Sequence, residues 1–95
     1  MKHYVYVFRS IPTGRYYIGM TADVNKRLEE HNTKKGRWTS SFAPWRLAGF
    51  EEFGDRVSAA RRERYLKGRE GIAERQALLA QLESGAENER SVERP

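Results

Sequence analysis

The first apolar run of the chain, His3 to Phe8 (HYVYVF), is aromatic or β-branched at nearly every position and has no helical period, which predicts a β-strand. The turn-rich SIPTG follows and then RYYIG, so the two runs predict a hairpin. Thr21 to Asp23 offers capping side chains, and Val24 and Leu28, on one stripe up to His31, predict an amphipathic helix of about three turns. From Asn32 to Pro44 the period is lost, and this segment reads as a loop. Trp45 to Phe53 (WRLAGFEEF) predicts a third strand, with Leu47, Gly49 and Phe53 on one side and Ala48 and Phe50 on the other. Asp55 is placed to cap a second helix from Arg56 to Lys67 that stops at Gly68, and a third helix, Ile72 to Leu82, aligns Ile72, Gln76, Leu79 and Leu82. The pattern predicts an α+β fold of order β-β-α-β-α-α, a small antiparallel sheet covered by helices. Residues 84–95, nearly devoid of apolar side chains, are expected to form a disordered tail, which leaves 1–83 as the one domain.

Composition narrows the chemistry. The chain has 95 residues, no cysteine and two histidines, which excludes disulfides, Cys-rich zinc sites, iron–sulfur clusters and cysteine nucleophiles. Any metal must sit on oxygen ligands. No apolar run approaches the ~20 residues that span a bilayer, and the N-terminus lacks a signal-peptide core, so a cytoplasmic protein with no membrane partner is expected. The net charge of +5 conceals an asymmetry: residues 1–69 hold 15 Lys/Arg against 7 Asp/Glu, and residues 70–95 hold 3 against 6. A basic body of this kind favours a polyanion, most plausibly nucleic acid, against the bland reading of a solvated basic surface.

Individual residues offer chemistry, each with a plainer reading beside it. Tyr4, Tyr6 and Phe8 share one face of the first strand, and Tyr17 shares its face with Arg15 and Gly19. For any one tyrosine packing is the better explanation, but Tyr6 and Tyr17 together are harder to dismiss. Arg27 and His31, four apart, can reach a single phosphate, where a guanidinium stabilises developing charge and an imidazole moves a proton. An exposed basic helix face explains the same spacing. Glu63 is the one acid between Arg56 and Arg69, and with Ala59 and Leu66 it falls on a stripe expected to face the sheet. An inward carboxylate there suits a divalent cation such as Mg²⁺ (or Mn²⁺), or else a contact to Arg27. In the loop, Trp38, Phe42 and Trp45 alternate with Lys34, Lys35, Arg37 and Arg46, a mixture that stacks bases beside phosphates or else closes the core.

Taken together these residues resemble a GIY-YIG nuclease domain, in particular the small stand-alone bacterial members. YVY at Tyr4 to Tyr6 stands in place of the first tripeptide, without its leading Gly, and YIG at Tyr17 to Gly19 matches the second literally. GMTADVNKRLEEHN resembles the family's helix, whose Arg falls on Arg27 and which brings in His31 and Asn32; Thr39 and Pro44 resemble the lead into the third strand, and AARRERYLKG the helix whose Glu falls on Glu63. The resemblance covers residues 3–82 and implies a three-stranded antiparallel sheet flanked by helices, with phosphodiester hydrolysis that uses one divalent ion. It implies that Glu63 holds the metal, that Arg27 stabilises charge on phosphorus, and that Tyr6, Tyr17 or His31 handles the proton of the attacking water. Lys34, Lys35, Arg37, Trp38, Thr39 and Arg46 are the expected DNA contacts. Met20 stands where some repair members carry Lys, which bears on substrate class.

No attached reading domain is expected, so recognition should rest on branched, single-stranded or damaged DNA, in repair or recombination, with a partner protein supplying targeting. The rival from another class is a nucleic-acid-binding module with little or no cleavage. A third reading is a protein-interaction domain that uses the acidic C-terminal part.

Overall fold

The computed structural model describes residues 1–33 and 41–91. Three strands, β1 (His3–Ser10), β2 (Tyr16–Thr21) and β3 (Trp45–Phe53), form one antiparallel sheet of order β2-β1-β3. Around it lie α1 (Val24–Thr33), α2 (Arg56–Lys67) and α3 (Ile72–Ser91), with a short 3₁₀ turn, Arg69–Gly71, between the last two. This is the expected order and class.

β1 is the central strand, and it is buried continuously from Val5 to Phe8 because it is covered on both faces. That burial explains why its sequence runs apolar and aromatic without polar alternation. Val5 and Val7 pack with Ile18, Ala59 and Leu66, and with Leu78, Leu79 and Leu82 of α3. Tyr6 and Phe8 point the other way, into Trp45, Leu47, Tyr17 and the stripe Val24 and Leu28 of α1.

The faces of β3 differ from the simple alternation expected of it. Phe8 pairs with Leu47 but Val7 pairs with Gly49, so Ala48 is an extra residue, a β-bulge. Leu47 and Phe50 therefore lie on the α1 side, Phe50 edge-on to Tyr4 at 5.7 Å, while Ala48 joins Phe53 in the Val5/Val7 cluster. Gly49 faces Leu82, whose Cδ2 lies 2.7 Å from where a Cβ would stand. A bulge inverts the side-chain parity beyond it, and pairing across strands, not local pattern, decides where it falls.

α2 has the expected bounds, for the expected reasons. Asp55 is extended and its carboxylate accepts from Ser58 N at 2.7 Å, and the Gly68 N–H closes the helix onto the carbonyls of Arg64 and Tyr65. α3 differs: it continues past Leu82 to Ser91, so residues 84–91, expected in the disordered tail, are helical. No Pro interrupts that stretch, and Ala86, Glu87, Glu89 and Arg90 are good helix formers, so the backbone continues as helix where an apolar count does not extend it. Residues 92–95 lie outside the described residues. Among the described residues no helix is long and apolar enough to cross a membrane.

Candidate active site

Side chains from four elements meet at the β2 edge of the sheet. Tyr6 faces Gly19 across the β1–β2 ladder, and its ring lies directly over that glycine. A Cβ at position 19 would sit 2.5 Å from Tyr6 Cζ and nearer still to Oη. The glycine of YIG is thus the slot through which a central-strand tyrosine reaches the edge strand. The ring is 2% exposed, packs on Phe8 at 4.1 Å between centroids, and stacks with Tyr17 at 6.3 Å.

His31 enters from α1 into a cage of rings: Tyr17 at 4.8 Å, Phe8 at 5.1 Å, Tyr6 at 6.1 Å and Trp45 at 6.2 Å. It is buried, so the exposed basic face fails as an account of it. Arg27, one turn earlier, keeps 40% of its side chain exposed and pairs with Glu30 at 3.6 Å. The helix is moored by Asn32, whose amide accepts from Trp45 N at 2.6 Å and donates to Trp45 O at 3.1 Å. Both hydrogen bonds of one backbone unit on β3 thereby fix the depth at which α1 presents His31.

From α2, Glu63 offers a half-buried carboxylate whose Oε2 is 3.2 Å from Lys67 Nζ. The Lys67 ammonium lies 5.6 Å from the centre of the Tyr17 ring, so this helix reaches the tyrosine pair. The alternative contact from Glu63 to Arg27 is not formed; each has another partner.

The phenol of Tyr6 feels four of these neighbours. Burial pushes its pKa well above the ordinary 10.0, the adjacent Tyr17 adds to the rise, Arg27 opposes it, and Glu63 and Glu30 push further upward. Burial thus favours the neutral phenol of Tyr6, which can donate a hydrogen bond. Arg27, Glu63, Glu30 and Tyr17 lie within electrostatic reach of this one hydroxyl.

The donor set suits one kind of metal. No group of three or more His, Cys, Asp or Glu gathers among the described residues, so no closed cage exists there. A single half-buried carboxylate fits a hard divalent cation that keeps most of its waters and takes substrate oxygens, as Mg²⁺ commonly does.

Tyr6, Tyr17, Arg27, His31 and Glu63 are thus brought together. Arg46 is not: it pairs with Arg9 across the sheet, and Arg9 bonds Glu83 of α3, so Arg46 lies on the face opposite Tyr6. The bulge at Ala48 does not reach it; strand parity alone puts it there. Trp45 is buried beside His31, and Phe42 carries the Arg15 guanidinium at 4.7 Å, so both close the core. Lys34, Lys35, Arg37, Trp38 and Thr39 lie outside the described residues. Sequence reasoning passed over Glu30, Asn32 as a clasp, and Lys67; the spacing of Lys67 four after Glu63 was the available signal.

The model of the GIY-YIG catalytic domain matches residues 2–75 of the chain. A UPF0213 protein of Halobacterium salinarum is 39% identical over 66 residues, 68% of this chain and 84% of its own length. UPF0213 protein BH0048 of Halalkalibacterium halodurans is 35% identical over 68 residues, 70% of this chain and 71% of its own. The solution NMR structure of UPF0213 protein BH0048 from Bacillus halodurans has 32% identity, covers 82% of this chain and 85% of that one, and has a TM-score of 0.48.

Proposed function

The chain belongs to the GIY-YIG family, a family of nuclease-type domains, and from that premise we propose that it is a divalent-metal-dependent endonuclease hydrolysing DNA phosphodiester bonds. The observation that carries the reading is the convergence of Tyr6, Tyr17, Arg27, His31 and Glu63, from four separate elements, around one buried phenol.

Each side chain has a role consistent with its setting. Glu63 would hold the metal, and Lys67 orients that carboxylate. A divalent ion bound there supplies positive charge to a phosphate oxygen and makes its water more acidic. Arg27, still half exposed, meets the non-bridging oxygens as negative charge grows during attack. Tyr6 donates its hydroxyl to orient water or phosphate. The proton of the attacking water passes to the Tyr17–His31 pair, as a P–O bond forms to that water and the bond to the departing oxygen breaks. Recognition then rests on backbone shape, which suits branched, single-stranded or damaged DNA in repair or recombination, with targeting by a partner protein.

The test uses labelled single-stranded, duplex, flap and four-way-junction DNA with Mg²⁺, with Mn²⁺ and with chelator. Metal-dependent cuts are expected, reduced on the order of 10²–10³-fold in Arg27→Ala and at least as far in Glu63→Ala, with binding little changed. Retarded complexes without cutting in any metal would leave the non-cleaving binding module as the correct reading.

A further inference from the structure

A second group of basic side chains lies where α2 ends. The chain leaves α2 at Gly68, turns through Arg69–Gly71 and departs as α3. Gly71 is pressed against the backbone carbonyl of Tyr65, so closely that a Cβ there would collide with it. This tight elbow leaves an open groove of about 430 Å³, lined by Arg61, Arg64, Tyr65, Gly68, Arg69 and Glu70.

Guanidiniums dominate the charge of this groove. Five cations elsewhere have carboxylate partners: Lys2 with Glu52, Arg9 with Glu83, Arg27 with Glu30, Arg62 with Glu51 and Glu74, Lys67 with Glu63. Arg61, Arg64 and Arg69 are exposed, and among the described residues none makes an ion pair or side-chain hydrogen bond. One carboxylate, Glu70, shares the groove with three guanidiniums. Tyr65 is an exposed aromatic beside them at 38%, with the Arg62 guanidinium 5.9 Å from its ring centre.

The groove is also continuous with the candidate active site. Arg64 follows Glu63 directly and precedes Lys67 by three, so on the helix surface Arg64 neighbours Lys67, and Arg61 neighbours Arg64. Positive charge therefore runs around α2, from the lysine at the metal-binding carboxylate to the elbow.

We propose that this elbow is a binding groove for single-stranded DNA, in which Arg61, Arg64 and Arg69 neutralise backbone phosphates and Tyr65 stacks an unpaired base. The choice of DNA rests on the nuclease reading above. A single strand is favoured over duplex because the groove has room on the scale of one nucleotide, and because a base face reaches a tyrosine ring only when it is free of its own stack. The groove then leads one arm of a branched or frayed substrate away from the cleavage point.

The experiment measures fluorescence anisotropy of labelled oligothymidine with the full chain in chelator, across a salt series, so that binding is read without cutting. The slope of log affinity against log salt should fall by about 0.7 for each of Arg61→Gln and Arg64→Gln. Tyr65→Ala should weaken binding roughly tenfold, and Tyr65→Phe should restore it. Lys2→Gln with Lys26→Gln, an equal charge loss elsewhere, should leave the slope unchanged; circular dichroism checks that every variant folds. An equal fall in the control pair, equally tight binding of an acidic peptide of matching charge, or no binding by the parent chain would each overturn the groove. The cleavage assay decides separately: cutting with groove variants that bind normally overturns the groove alone, and groove-dependent binding without cutting in any metal overturns the nuclease alone.

Discussion

Substituting Gly19 by Ala tests the arrangement on which the site depends. The added Cβ would stand 2.5 Å from Tyr6 Cζ and 3.0 Å from Cε2, with Oη closer than either. Tyr6 cannot yield easily, since it is 2% exposed and its other face packs on Phe8 at 4.1 Å. Overpacking of this kind costs roughly 1–3 kcal/mol. In a domain of this size each kcal/mol moves Tm by about 4–8 °C, so a fall on the order of 5–20 °C is expected in thermal denaturation. The phenol is also displaced, and a shift of about 1 Å at a reacting centre reduces turnover by roughly 10²-fold, read by cleavage well below the variant's Tm. Tyr6→Phe removes the nearest atom, so the double variant Gly19→Ala/Tyr6→Phe should recover part of the stability but none of the activity. A double-mutant cycle should give a coupling of about 0.5–3 kcal/mol. Gly19→Ala with Tm lowered by less than about 2 °C and undiminished cleavage would show that Tyr6 does not lie over Gly19.

Two further predictions concern the same neighbourhood. Tyr6 should resist ionisation above the pH at which an unburied phenol ionises, as followed by tyrosinate absorbance. Because its folded pKa lies above the unfolded value of about 10, its contribution to stability is complete below pH 10 and is lost as pH rises beyond it, so Tyr6→Phe should show a shallower alkaline decline than the wild type. Equal declines would refute the burial argument. Asn32→Ala should lower stability by roughly 1–3 kcal/mol in denaturant unfolding, because the Trp45 N–H and C=O lose both partners at once. Asn32→Asp should restore only the accepting half, and an unchanged midpoint in Asn32→Ala would mean that α1 is moored otherwise.

Much of this architecture is written locally in the chain. The bounds of α2 follow from Asp55 and Gly68, and β3 spans Trp45–Phe53 as its composition predicts. The unbroken apolar run of β1 already announces a strand covered on both faces. Glu63 falls on a stripe with Ala59 and Leu66, both of which are buried, so its inward placement follows from helical spacing alone. Signals of this kind act over a few residues, through capping, periodicity and backbone freedom, and they need no knowledge of what the rest of the chain does.

What the sequence could not determine depends on pairing between distant segments. The bulge that sends Ala48 to the α2–α3 side arises from the β1–β3 register, and the same register places Arg46 away from Tyr6. The slot that Gly19 makes for Tyr6 exists only because those residues meet across a ladder. Sequence spacing placed Arg27 and His31 on one helix; the rings of Tyr6, Phe8, Tyr17 and Trp45 turned His31 from a surface residue into a buried one. Likewise Lys67, four residues after Glu63, becomes part of the site because α2 docks where its ammonium reaches Tyr17. The residues and the elements are fixed by local physical chemistry, and the site is made by long-range packing, since burial and opposed charge act on whatever the folded chain brings together.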